Sequence, residues 1–454
     1  MKKVRRDEAT GGTFLKLLEK RCGSEPLFLQ AVEEFIASIA SFLSKNSVLY
    51  KNHKVLERIT EPERIISFRV VWEDDRGEIN INRGYRVQFS SLLGPYKGGL
   101  RFHPSVDISM LKFLGFEQIF KNALTGLPLG GGKGGADFDP KGRSDREIMR
   151  FCQAYMTELS RYIGKDVDIP AGDIGVGARE INYLFGQHKK LTNRYEGAIT
   201  GKGLSSGGTF VRPEATGYGV VYFLEEMLAR VGEQVQGKTA IVSGSGNVAQ
   251  HTARKFSELG GKVLTMSDSS GYIFDPDGIE EEKLDFVMEL KNVRHGRISE
   301  YAKHYRKASY HSGRRPWERK ADFAIPCATQ NEIEDDDADN LVKNGISLVI
   351  EGANMPTSLS AVKKIVDSGI MFAPGKAANA GGVAVSGLEM AQNSLHLQWT
   401  RNEVDTRLRE IMCNIHTKCV QHGSDKDNAV DYVKGANIAS FIKVSEALIS
   451  QGII

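Results

Sequence analysis

From residue 239 onward the chain repeats one pattern: a short apolar run rich in β-branched residues, a turn of small or polar residues, then a helix. Runs at 239–242, 262–266, 323–325, 348–350 and 370–372 fit it. Each is too short for a helix and suits a buried strand. Strands alternating with helices predict a parallel sheet covered on both faces, because every crossover lays a helix on the sheet. The region upstream has other periods. Residues 12–58 repeat with helical spacing, through Phe14, Leu17, Leu18, Phe28, Val32, Phe35, Ile36 and Ile39. From residue 65 the period falls to two, with Ile66, Phe68, Val70 and Trp72, a turn at 74–77, then Ile79, Ile81, Tyr85, Val87 and Phe89. That alternation predicts an antiparallel pair with one covered face. The apolar run at 110–120 predicts a buried helix.

A chain of 454 residues should hold two or three domains. Its 60 basic and 57 acidic side chains leave a net charge of +3, too balanced for a nucleic-acid or membrane-surface role based on bulk charge. No apolar run approaches the roughly 18 residues of a membrane span. The first residues are basic without a following apolar core, so a secretory signal is not expected, while an organelle signal stays open. Five scattered cysteines suit a reducing compartment, and we expect a cytoplasmic protein. Cys413, His416 and Cys419 recur every three residues, but with no fourth ligand nearby they read as helix packing, and no metal is expected. Residues 199–208, rich in Gly and Ser, mark a candidate hinge or boundary.

Two stretches carry chemistry. Gly244-x-Gly246-x-x-Ala249, with Ser245, Asn247 and Val248 between, follows a strand and opens a helix. The first glycine makes the tight turn, the second lets a pyrophosphate approach the backbone, and the small Ala249 allows close helix packing. The helix N-terminus then favours phosphate, so a dinucleotide is the expected ligand. Asp268 lies about 20 residues on, where an acid can take a ribose 2′-OH and so favour NAD. The flanking Ser267, Ser269 and Ser270 suit a 2′-phosphate instead, and spacing alone leaves this open.

The second stretch sets Lys133 among five glycines at 130–135. It is not a Walker loop: position 127 is Leu, and Gly134 rather than Ser or Thr follows the lysine. Glycine weakens helix and strand, so the run is expected to be a cradle that lets backbone approach a ligand. Lys97 is another glycine-flanked lysine, Gln118 and Lys121 share a helix face, and Asp173 sits in a further glycine-rich loop. Several lysines and one aspartate suggest a substrate with more than one carboxylate. Crowding and desolvation lower a lysine pKa, so Lys133 could polarise a carbonyl and exchange protons near neutral pH.

Six motifs together are similar to the hexameric glutamate dehydrogenases in their short form: 94–104, 111–118, 127–135, 170–177, 214–219 and 378–383. The resemblance runs nearly end to end. It implies a mixed-sheet substrate domain at 1–207 and 431–454, and a doubly wound, Rossmann-type dinucleotide-binding domain at 208–430. It also implies that L-glutamate, NADP+ (NAD as the alternative) and water are converted reversibly to 2-oxoglutarate, ammonia and NADPH, in a homohexamer. Lys97 and Ser386 would hold the γ-carboxylate, and Gln118 and Lys121 the α-carboxylate. Lys133 would activate carbonyl or water, and Asp173 would move protons at nitrogen. Thr216, Asn247 and Asn354 would neighbour the cofactor. The 267–270 segment with Asp268 and Ser269, together with Lys141 and Lys291, would meet a 2′-phosphate. The nearest alternative is an enzyme for leucine, valine or phenylalanine, which would need an apolar pocket where Lys97 stands.

Overall fold

The computed structural model describes residues 12–45, 47–425 and 429–453. The basic opening segment lies outside them. The chain divides into two compact units: Met1–Phe210 with Val385–Val404 and Asn437–Ile454, and Val211–Ala384 with Asp405–Ala436. Sequence reading places 208–210 and 385–404 with the second part and 431–436 with the first. Burial explains the difference. Lys202 Nζ meets Glu389 Oε1 at 2.7 Å with both side chains almost fully buried, and Gln392 Nε2 donates to Thr209 Oγ1 at 2.7 Å. An ion pair taken out of water holds only when both partners stay together.

The first unit is built on five strands: β1 (Arg64–Glu73), β2 (Ile79–Ser90), β3 (Tyr96–Phe102), β4 (Gly131–Ala136) and β5 (Asp168–Gly172), in the order β1-β2-β4-β3-β5. The expected antiparallel pair is β1 and β2, in register from Arg64 opposite Gln88 to Glu73 opposite Ile79. The helices Asp145–Leu159 and Ala178–Thr192 cover one face through a core that includes Leu100, Phe102, Phe151, Tyr155 and Leu184. The helices Pro26–Lys45 and Ile108–Thr125 pack together, with Phe35 and Phe120 stacked at 4.0 Å. Pro26–Lys45 has the length and hydropathy of a membrane span. It behaves as a core helix, burying Phe28, Val32, Phe35, Ile36, Ile39 and Leu43. Ile108–Thr125 starts where Asp107 accepts the Met110 amide at 2.8 Å and stops at the left-handed Gly126.

One expectation is overturned. The glycine run is no loop: it forms the middle strand β4, buried along its whole length. The absent side chains let neighbours close in. A Cβ on Gly98 would lie 1.7 Å from the Gly132 carbonyl, and one on Gly131 would lie 2.6 Å from Ile119. The glycines therefore admit strand and helix to contact distances, which outweighs their poor strand propensity.

The second unit holds seven strands: β6 (Thr239–Val242), β7 (Lys262–Asp268), β8 (Gly271–Phe274), β9 (Ser309–Ser312), β10 (Phe323–Ile325), β11 (Leu348–Ile350) and β12 (Met371–Ala373). Their order is β12-β11-β10-β6-β7-β8-β9. β6, β7, β10, β11 and β12 pair in parallel, and all five were expected. β8 and β9 pair antiparallel at one edge and were not foreseen. Asp268 to Gly271 closes a tight reversal that sequence reading assigned wholly to ligand contact. Between β6 and β10 the winding direction changes, the place where such sheets bind ligands.

Candidate active site

In the first unit the parallel register places Leu100 opposite Gly134. With a period of two, Arg101 and Lys133 then share one sheet face. The helix Ile108–Thr125 lies over that face, since a Cβ on Gly115 would be 3.7 Å from the Lys133 Cβ. The same helix brings Gln118 to β3, its Cγ 3.3 Å from where a Gly98 Cβ would stand, and Lys121 follows three residues along the same side. Gln118 and Lys121 are half-buried.

Lys133 Nζ meets Asp173 Oδ2 at 3.0 Å, and Arg101 Nε donates to the same oxygen at 2.8 Å. Burial pushes the Lys133 pKa below the usual lysine range; Asp173 opposes that shift, while Arg101 and Arg86 add to it. Burial alone would raise the Asp173 pKa, but Lys133 and Arg101 outweigh it and hold the carboxyl at about 2. The pair therefore couples an ionised carboxylate to an ammonium that gives up its proton more readily than an ordinary lysine.

Lys97, 1% exposed, donates to the Ile169 carbonyl at 2.9 Å and the Thr200 hydroxyl at 2.7 Å. Thr200 is hydrogen-bonded in turn to Ser386. The structure thus brings Lys97 and Ser386 to one cluster through Thr200, a residue that sequence reading missed. Asn122 was missed too. Fully buried, it donates to the Lys97 carbonyl at 3.1 Å and to the Gly130 carbonyl, and it accepts from Gln118 Nε2 at 2.6 Å. One amide thereby ties helix, β3 and the start of β4. Its position four residues after Gln118 was a usable signal. On the opposite face of β4, Arg86 grips Asp168 with Nε at 2.8 Å and donates Nη1 to the Gly98 carbonyl at 3.1 Å.

In the second unit, Gly244 has φ +82°, and a Cβ there would lie 3.0 Å from the Cys327 carbonyl after β10. Its amide donates to Ser267 Oγ at 2.7 Å. Gly246 caps the helix Asn247–Glu258 without a side-chain acceptor, and nothing lies within 4 Å of the point a Cβ would occupy. Ala249 is fully buried behind it. Open space over uncapped first-turn amides, at the sheet's switch point, fits a dinucleotide pyrophosphate. Ser245 is buried and Val248 half-buried in the same turn, and Asn247 Nδ2 donates to the Pro213 carbonyl at 2.6 Å. Thr216 opens the helix Ala215–Arg230, and Asn354 accepts from Asn379 at 3.0 Å.

Asp268 is already engaged within the second unit. Its carboxylate accepts the amides of Ser270 and Ile298, each at 2.9 Å, with Lys291 Nζ at 3.7 Å and Arg297 Nη1 at 3.9 Å. Arg297, absent from the sequence reading, also donates to Ser269 Oγ at 2.9 Å. Ser269, Lys291 and Arg297 thus gather two cations and a hydroxyl. Lys141 is exposed on a turn of the first unit, while the other residues expected at a 2′-phosphate belong to the second. His416, on the helix Arg401–Gly423 where Cys419 is buried, has its Nε2 3.0 Å from the hydroxyl of Tyr432 at the start of the helix Tyr432–Ser450.

A doubly wound sheet and a buried Lys–Asp ion pair in one chain fit an oxidoreductase that works on a polar carbon–nitrogen or carbon–oxygen centre. The chain belongs to the Glutamate/Leucine/Phenylalanine/Valine dehydrogenase family: residues 207–452 match that family, and residues 62–190 match its dimerisation domain. It is 57% identical to the NAD(P)-specific glutamate dehydrogenase of Xylanibacter ruminicola, over 97% of this chain and 98% of that protein. It is 55% identical to the NADP-specific glutamate dehydrogenase of Haemophilus influenzae, again over 97% and 98%. The crystal structure of Plasmodium falciparum glutamate dehydrogenase superposes with a TM-score of 0.94 at 50% identity, covering 97% of this chain and 94% of that one.

Proposed function

We infer that the protein is an NADP-dependent glutamate dehydrogenase, with NAD as the alternative cofactor. It interconverts L-glutamate, NADP+ and water with 2-oxoglutarate, ammonium, NADPH and a proton. The observation that carries glutamate over the family's apolar substrates is Lys97, an ammonium buried with Thr200 and Ser386, its carbonyl tied by Asn122 to the helix that covers Lys133. Desolvating an ammonium beside a leucine or valine side chain would cost several kcal/mol, whereas a γ-carboxylate repays it. Gln118 and Lys121 are assigned to the α-carboxylate. Bound at the Gly244 turn, the nicotinamide dinucleotide supplies or accepts the hydride. Thr216, Asn247 and Asn354 are assigned to its neighbourhood, and Ser269, Lys291 and Arg297 to the 2′-phosphate. The commitment of Asp268 to backbone amides supports that choice.

Within this reading Lys133 donates a hydrogen bond to the carbonyl of 2-oxoglutarate, or in reverse takes a proton from the attacking water. Asp173 moves protons at the substrate nitrogen. The initial rate with 2-oxoglutarate and ammonium, compared for NADPH and NADH, tests the whole assignment. Unchanged absorbance with both would refute it.

We also propose a homohexamer. The match of 62–190 to a dimerisation domain supports self-association. So does the β1–β2 hairpin, which leaves Ile79 75% and Ile81 66% exposed, an apolar edge that water disfavours. Light scattering that gives a monomer mass would refute it.

A further inference from the structure

No role given so far uses Arg101, yet it holds the centre of the proton-transfer pair. It lies on β3 with 13% of its side chain exposed. Its Nε and the Lys133 Nζ approach the same oxygen of Asp173, Oδ2, at 2.8 and 3.0 Å. Its Nη1 reaches Met110 Sδ at 3.6 Å, which seats the guanidinium against the covering helix. Among the described residues no hydrogen bond or ion pair reaches Asp173 Oδ1. We propose that Arg101 is a positioning residue: by clamping Oδ2 it fixes the Asp173 carboxylate so that Oδ1 is the oxygen presented to the substrate nitrogen.

The same contact sets the charge balance. The charged groups that act on Lys133 are Asp173 from the loop after β5, Arg101 from β3, and Arg86 from β2, itself paired with Asp168 of β5. Arg101 is the cation that shares the Lys133 counter-ion. It repels a proton on Lys133 and divides the attraction of Asp173. Removing it leaves Asp173 wholly to Lys133, and both changes strengthen the hold of Lys133 on its proton. A carboxylate freed from the clamp can also turn Oδ1 onto Lys133, closing it to the substrate.

The proposal rests on the glutamate dehydrogenase reading, and the experiment separates the two. Glutamate oxidation by the wild-type protein should rise with pH as Lys133 deprotonates; no turnover at any pH would defeat the functional reading itself. In Arg101→Gln the rising limb should move to higher pH by about one unit, and kcat should fall ~100-fold while KM for glutamate changes less than about threefold. Arg101→Lys keeps the charge and loses the fork that grips Oδ2. Its limb should stay near the wild-type position while kcat falls about tenfold. An active Arg101→Gln protein with the wild-type limb, or a loss confined to KM, would overturn the proposal. Should Arg101→Gln fail to fold, Arg101→Lys decides: wild-type kcat there overturns the clamp.

Discussion

Replacing Gly246 with alanine should separate cofactor affinity from folding. Gly246 sits at φ −86° and ψ −170°, extended backbone that alanine adopts freely. Nothing lies within 4 Å of the added methyl. Replacing a glycine N-cap by alanine costs about 0.5–1 kcal/mol, and the stiffer unfolded chain returns about 0.4–1 kcal/mol. Stability should therefore stay within ~0.5 kcal/mol of wild type. The methyl nevertheless fills space that a pyrophosphate needs in order to reach the first-turn amides. Losing one charge-assisted hydrogen bond there costs about 1.5–3 kcal/mol, which is roughly 10- to 150-fold in Kd. A fluorescence titration with NADPH reads the affinity, and a urea midpoint reads the fold. Gly244→Ala gives the contrast. Its φ of +82° and a Cβ 3.0 Å from the Cys327 carbonyl should cost about 1–2 kcal/mol of stability as well. A Gly246→Ala protein that folds normally and binds NADPH within threefold of wild type would refute the placement of phosphate at this helix.

Lys133→Ala should remove most turnover, about 100-fold or more, while NADPH still binds; near-normal rates would reject the role of Lys133. Lys97→Ala should lose kcat/KM for glutamate far more than for small apolar amino acids, and an unchanged preference would reject the γ-carboxylate assignment. Asp168→Asn leaves the fully buried Arg86 without its carboxylate, so the urea midpoint should report a loss of about 3–5 kcal/mol. A wild-type midpoint would show that the pair does not hold β2 to β5.

The parallel sheet was legible because β6, β7, β10, β11 and β12 are continuous apolar runs ending in special turns, a pattern only doubly covered strands need. β9 escaped notice because Ser309–Ser312 is a short, mostly polar run, and the apolar Tyr272–Phe274 of β8 was passed over beside a serine-rich turn read as ligand contact. Lys97, Gln118, Lys133, Asp173 and the Gly244 turn were legible from residue type and spacing. Thr200 and Asn122 were not. Thr200 stands in the Gly- and Ser-rich stretch read as a hinge, and its bonds run to Lys97 and Ser386, far away in the chain; Asn122 had only its spacing from Gln118 to mark it. Arg101 stood within a recognised motif, but nothing local distinguishes an arginine that binds substrate from one that orients a carboxylate.

Local chemistry is written residue by residue: hydrophobic period, turn glycines and the type of ionisable group. The sequence therefore determined the two kinds of sheet, the helix that carries Gln118 and Lys121, and the amines available for catalysis. Only the tertiary structure decided that four of the five glycines lie in a central strand, because their value lies in how closely Gly98 and Ile119 approach, across a sheet that no local window contains. Only it decided that Lys133 and Arg101 share one oxygen of Asp173. Proton affinity depends on distance and burial, and those exist only once β3, β4 and the loop after β5 have come together.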